Sequence, residues 1–223
     1  MDSTYVFTEN AISDFGVSAV IFDTEKIAMN GLAVGGWKPL GSTHTVTKAE
    51  KNIIYEIDGT PALDLFLNYF GNIKYNAPTS EGLVTIAGQY PLQLMNEDGS
   101  SYMRSLIIYD QENRALIAAG KIKAGTKFRF CPPPEFSVVY DTINSFKEFA
   151  KNAPDLDAIV MVSCKGRHTS FGPILEDEVR SIYEIWEAPM AGFLSYGEIG
   201  NTAQSGVCEF HNVTCSLVGL KEL

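Results

Sequence analysis

The sequence predicts an α+β fold, with mixed and mainly antiparallel sheets and helices packed on their outer faces. Three observations carry this reading. Short apolar segments separated by turn residues fill most of the chain up to Cys131. Two stretches, 136–151 and 173–186, place their apolar residues at helical spacing. Between them, Asp157–Cys164 is a near-continuous apolar run, the pattern of a buried central strand.

In chain order, Val17–Asp23 and Lys26–Met29 read as a hairpin turned at Thr24-Glu25. Thr43–Thr47 and Asn52–Ile57 form a second strand pair, turned at Lys48–Lys51. Asp58-Gly59-Thr60-Pro61 then stops the strand and opens a helix, with Thr60 as N-cap and Pro61 in the first turn. Ala62, Leu65, Phe66 and Tyr69 share one face of that helix, and Gly71 closes it. Leu83–Ala87, Tyr90–Met95, Met103–Tyr109, Ala115–Ala119 and Lys127–Cys131 are strand candidates. Pro132-Pro133-Pro134 ends this β-rich stretch. The helix over 136–151 buries Val139, Ile143, Phe146 and Phe149, and the one over 173–186 buries Ile174, Val179, Ile182 and Ile185. Met190–Tyr196 and Val213–Leu220 are the closing strands. The best boundary is the Asp58–Pro61 turn. The strands before it need more partners than the short N-terminal segment provides, so residues 1–61 read as the end of a larger domain.

A chain of 223 residues with 45% hydrophobic content buries a sizeable core. Its formal net charge of -10 argues against a nucleic-acid surface and against docking on anionic lipid. The four cysteines form no Cys-x-x-Cys pair and are too sparse for a disulfide scaffold. No signal peptide or membrane-length apolar stretch is visible, so a cytoplasmic protein without membrane insertion is expected. No Gly-x-Gly-x-x-Gly or phosphate loop is present, and His44, His168 and His211 are scattered, so no cofactor or metal is expected. The nucleophile elbow is absent too, because Phe193 stands where that motif needs glycine before Ser195.

Three blocks resemble the C-terminal domain of the FIST family (F-box and intracellular signal transduction proteins). They are Ile159–Arg167, an apolar strand ending in Ser-Cys with an arginine nearby; Ala191–Ile199; and Phe210-His211-Asn212-Val213-Thr214. Upstream, Gly35–Gly41, Thr45–Thr47 and Tyr55–Ala62 are similar to the tail of the family's N-terminal domain and its join to the C-terminal one. The resemblance implies a remnant of the N-terminal domain over 1–61 and the C-terminal domain over 62–223. It also implies ligand sensing in signal transduction, with amino acids as the suggested ligand class. Kinases or chemotaxis receptors are often the effectors, as fused domains or separate partners, and eukaryotic relatives recruit proteins through an F-box.

From the residues themselves, Gly192 and Gly197 bracket a strand that must bend or allow close backbone approach. Arg167, Tyr196, Glu198, His211 and Asn212 lie at ends of apolar strands and are the candidate ligand-binding residues. Arg167 would meet a ligand carboxylate and Glu198 an ammonium; equally, the two could form a structural ion pair. Trp37 reads as a core plug or, if exposed, a recognition surface. A small-ligand sensor that is not an enzyme is the leading expectation, and a protein-recruitment module is the alternative. An enzyme using Cys164 or Cys208 with His211 and Glu198 ranks last, because no ordered catalytic motif is present.

Overall fold

The computed structural model describes residues 5–71, 89–201 and 208–223. The expected strand Leu83–Ala87 lies outside them. At the front, among the described residues, β1 (Val6–Phe7) and β2 (Ile12–Ser13) pair only with each other. Residues 17–23 form no strand, and Val17, Val20 and Ile21 are exposed. The expected hairpin is therefore absent. Residues 27–29 belong instead to β3 (Ile27–Val34), which finds a longer partner in β16 (Cys215–Glu222).

The larger sheet is antiparallel throughout. It contains β4 (Leu40–Glu50), β5 (Ile53–Ile57), β7 (Leu92–Met95), β8 (Ser101–Arg104), β9 (Leu106–Asp110), β10 (Ala115–Ala118) and β11 (Lys127–Phe130), in the order β8-β7-β11-β4-β5-β10-β9. The two-residue β6 (Thr60–Pro61) pairs with β5. Asp58 and Gly59 both have positive φ, 51° and 75°. Two such residues make the tight hairpin turn whose twist suits antiparallel strands. Thr60 is thereby drawn into the sheet, and Pro61 takes the cap position of helix α1 (Ala62–Phe70). Gly71, at φ 74°, ends α1 by donating its N–H to Leu67 O. Leu63 and Phe66 of α1 close the sheet's core over Ile54, Ile57, Leu92, Leu94, Phe128 and Phe130. Each such fully buried large side chain contributes about 1.5–3 kcal/mol. The run expected as one strand over 103–109 is two. It breaks at Ser105, and its halves lie at opposite edges of the sheet.

The second sheet has the order β13-β12-β16-β3, with β12 at Ala158–Cys164 and β13 at Met190–Ser195. β12 and β13 are parallel, which requires a crossover, and α3 (Lys165–Phe171) and α4 (Ile174–Trp186) supply it. Helix α2 (Ser137–Ala150) packs with α4 on one face, where Phe146 and Ile182 meet Ile159, Met161, Cys215 and Leu217. The other face is open at the paired Val160 and Val218, each 40% exposed. β12 is thus central in its sheet but covered by helices on one side only. A short hairpin, β14 (Glu198–Asn201) with β15 (Cys208–His211), lies beside β3. A third cluster, including Trp37, Met103, Phe171, Leu175 and Val213, fills the space where the two sheets meet. Among the described residues no helix is long and apolar enough to cross a membrane.

Candidate functional site

The link from β3 to β4 runs through Gly35-Gly36-Trp37, and the features of interest gather around it. Gly36 has φ 79°, and a Cβ there would lie 2.9 Å from Thr142 Oγ1 and from Val138 Cγ1. Only glycine lets the link press this closely against α2. Trp37 is buried, tilted against Phe171, with the Arg167 guanidinium 5.4 Å from its ring.

Arg167 is fully buried on α3. Its Nε donates to Glu178 Oε1 at 3.2 Å and its Nη2 to Glu178 Oε2 and Thr142 Oγ1, while Nη1 donates to Gly35 O and Val213 O. All five N–H groups are engaged within the protein. The ion pair is therefore made with Glu178 of α4, not with Glu198, and no donor is left for a ligand. Arg167 instead fixes the Gly35–Trp37 link to the turn at Val213. That turn needs holding, because Val213 is β-branched yet has φ 53°. Such a conformation costs about 1–3 kcal/mol unless its surroundings impose it.

The other four candidates do converge. Glu198 and His211 sit directly opposite each other in the β14–β15 hairpin. The Glu198 carboxylate accepts from Ser195 Oγ and from Thr214 Oγ1, the latter at 2.8 Å, and also meets the Cys164 thiol. Burial nevertheless raises its pKa above the ordinary 4.5, since desolvation outweighs these donors. Asn212 Oδ1 accepts from Arg104 Nη1 and Ser105 N, both at 3.2 Å, and its Nδ2 donates to Tyr196 O at 3.4 Å. It thus ties the break between β8 and β9 to the loop after β13. The Tyr196 side chain is half exposed. His211 Nε2 meets Gly200 O at 3.0 Å, its ring stands edge-on to Tyr102, and burial lowers its pKa below 6.5.

Beside this network lies a cleft of about 770 Å³. Its walls come from β3, the Gly35–Trp37 link, the β7–β8 pair, α2, His211 and Thr214. His211 is the candidate that lines it; Glu198 and Asn212 stand behind the wall through Thr214 and through the Arg104–Ser105 contact. The sequence pointed to neither Tyr102 nor Ser145 nor the Glu148–Lys151 pair as part of a site. The available signal was Trp37, set between two glycines and Lys38. A second hollow of about 680 Å³, beside α4 and Met190, is mainly apolar and is built from the α3–α4 region and the start of the edge strand. It lacks the convergence of separate elements that the cleft has.

The three buried thiols are poor nucleophiles. Burial raises the Cys131 pKa to about 12 and that of Cys164 to about 11, and it pushes Cys215 higher still. Cys208 is exposed. Among the described residues no group of His, Cys, Asp and Glu has the arrangement to hold a metal ion.

A model of the FIST N domain matches residues 1–60 and one of the FIST C domain matches residues 62–201. No curated protein and no solved structure matches the sequence.

Proposed function

The chain belongs to the FIST family, whose domains are linked to signal transduction, and from that premise we propose that it is a sensor module binding a small polar ligand in the cleft beside Trp37 and His211. The observation that carries this reading is the cleft itself. Its volume falls in the range of small-molecule sites, and its lining combines the apolar surface of β3, Trp37, Met103 and Phe149 with polar side chains from the β7–β8 pair, α2, His211 and Thr214. At its rim Glu148 and Lys151 pair at 2.6 Å, and both are largely exposed. Two exposed charges of opposite sign can exchange partners with the ammonium and carboxylate of an amino acid, so amino acids and related metabolites remain the ligand class. Arg167, Glu198, Asn212 and Tyr196 act in this reading as positioning residues, holding the wall that His211 and Thr214 present. With the thiols of Cys131, Cys164 and Cys215 held protonated by burial, this reading makes the module a binder and gives these three no nucleophilic role.

A thermal-shift screen across amino acids and related metabolites tests this, because a ligand bound by the native state raises Tm by mass action. Ser145 is half-buried on α2 and lines the cleft, so Ser145→Trp fills the space from one side. Hits are expected in the wild-type protein and lost in Ser145→Trp, while the variant's own unfolding stays cooperative. The alternative, recruitment of a protein, is favoured by the open face at Val160 and Val218 together with exposed Phe193 and Ile199. Hits that survive Ser145→Trp would overturn the cleft as the binding site, and a panel without hits would overturn the sensor reading in favour of recruitment.

A further inference from the structure

Of the residues lining the cleft, Trp37 and His211 alone hold a buried side-chain polar atom without a partner among the described residues: indole Nε1 and imidazole Nδ1. Trp37 is 5% exposed and His211 1% exposed, so each unpaired atom is shut off from bulk water. Their chemistry is complementary. An indole N–H only donates. For His211, the partner of Nε2 is the Gly200 carbonyl oxygen, which only accepts, so Nε2 carries the hydrogen. Desolvation keeps the ring neutral; of the charged and titratable groups around it, Glu209 favours the imidazolium and Arg104 opposes it, while Tyr102 faces the ring edge-on. Nδ1 is then a bare lone pair, an acceptor.

We propose that this wall of the cleft takes an uncharged carboxamide, whose C=O accepts from Trp37 Nε1 and whose N–H donates to His211 Nδ1. The inference rests on the cleft reading above and narrows it. A carboxylate satisfies the indole but sets a second acceptor against Nδ1. A buried ion also needs a counter-charge, and the charged side chains lining the cleft, Glu148 and Lys151, sit at the exposed rim. An amino acid carrying a side-chain amide fits both regions, with the amide inside and the α-ammonium and carboxylate at the rim. Both atoms are covered by protein, so the wall has to shift to admit the group; Met103, an unbranched thioether that lines the cleft and clusters with Trp37, is the side chain suited to do so.

The test uses the whole chain labelled with ¹⁵N. Imidazole nitrogen shifts of assigned His211 report its tautomer without any ligand: a protonated Nε2 and a bare Nδ1 are expected, and a proton on Nδ1 overturns the proposal while leaving the cleft reading intact. Benzamide and L-glutamine are then titrated against benzoate and L-glutamate. The expected result is a shift of the Trp37 indole N–H and a rise in Tm with the amides alone, with affinity about tenfold weaker in His211→Phe. Carboxylates that move the Trp37 resonance as strongly as the amides overturn the carboxamide assignment but support a ligand cleft. Amide binding that survives Ser145→Trp overturns the assignment as well, because it takes place elsewhere.

Discussion

A guanidinium with every N–H engaged acts on a site only through what it holds, and Arg167 should be tested as such a support. Removing one partner of a buried ion pair strands the other charge, so Glu178→Ala should cost about 3–5 kcal/mol in denaturant unfolding. Replacing both partners, Arg167→Met with Glu178→Leu, should recover only the part due to the stranded charge, because the Gly35 and Val213 carbonyls then lose their donor. A cost below about 1 kcal/mol for the single variant would show that the pair does not hold the core. The identity of the partner was not legible. The stripe expected on α4 was Ile174, Val179, Ile182 and Ile185, but Val179 is exposed and the helix buries Leu175, Glu178 and Ile182, which puts a glutamate on the inner face. Glu198 drew attention instead because it stands at a strand end, where polar residues often serve ligands. Nothing local distinguishes a carboxylate that faces a buried guanidinium from one that collects hydroxyl donors; that depends on how α4 is rotated against α3.

At the scale of elements, the glycines of the Gly192–Gly197 segment were read correctly as points of close approach. A Cβ on Gly192 would lie 1.7 Å from Met161 O, and one on Gly197 would lie 2.4 Å from the Phe210 ring. The first clash is with backbone, which cannot rotate away. Gly192→Ala should therefore push β13 off β12 and cost about 1–3 kcal/mol. Hydrogen exchange should show the loss of protection concentrated in Met190–Ser195; unchanged protection there would mean that the strands have room to part. Helices α1, α2 and α4 and most strands of the large sheet were legible because each carries an apolar period of its own. Helix α3 was not. Lys165–Phe171 has little apolar periodicity, and its helicity follows from the crossover that parallel strands require. The β14–β15 hairpin was missed for a related reason, being short and rich in polar residues.

For the whole molecule, the turn at Asp58–Pro61 divides the sequence but not the sheets. β3 lies in one sheet and β4 with β5 in the other, each bonded to strands from beyond the turn. A piece covering 60–223 should thus fail to unfold cooperatively, and adding residues 1–59 in trans should restore a cooperative transition. A dispersed amide spectrum from 60–223 alone would show that the later strands suffice. Strand order was not legible, because β3 and β16 are far apart in the chain and their pairing leaves no local mark. That same pairing sets a timetable for biosynthesis. β3 leaves the ribosome well before β16, the strand that pairs with it, because residues 35–214 are made between them. At ordinary elongation rates the interval is roughly ten to forty seconds. Throughout it β3 lacks this partner strand, so its backbone donors and acceptors stay open to mispairing until residues 215–222 arrive.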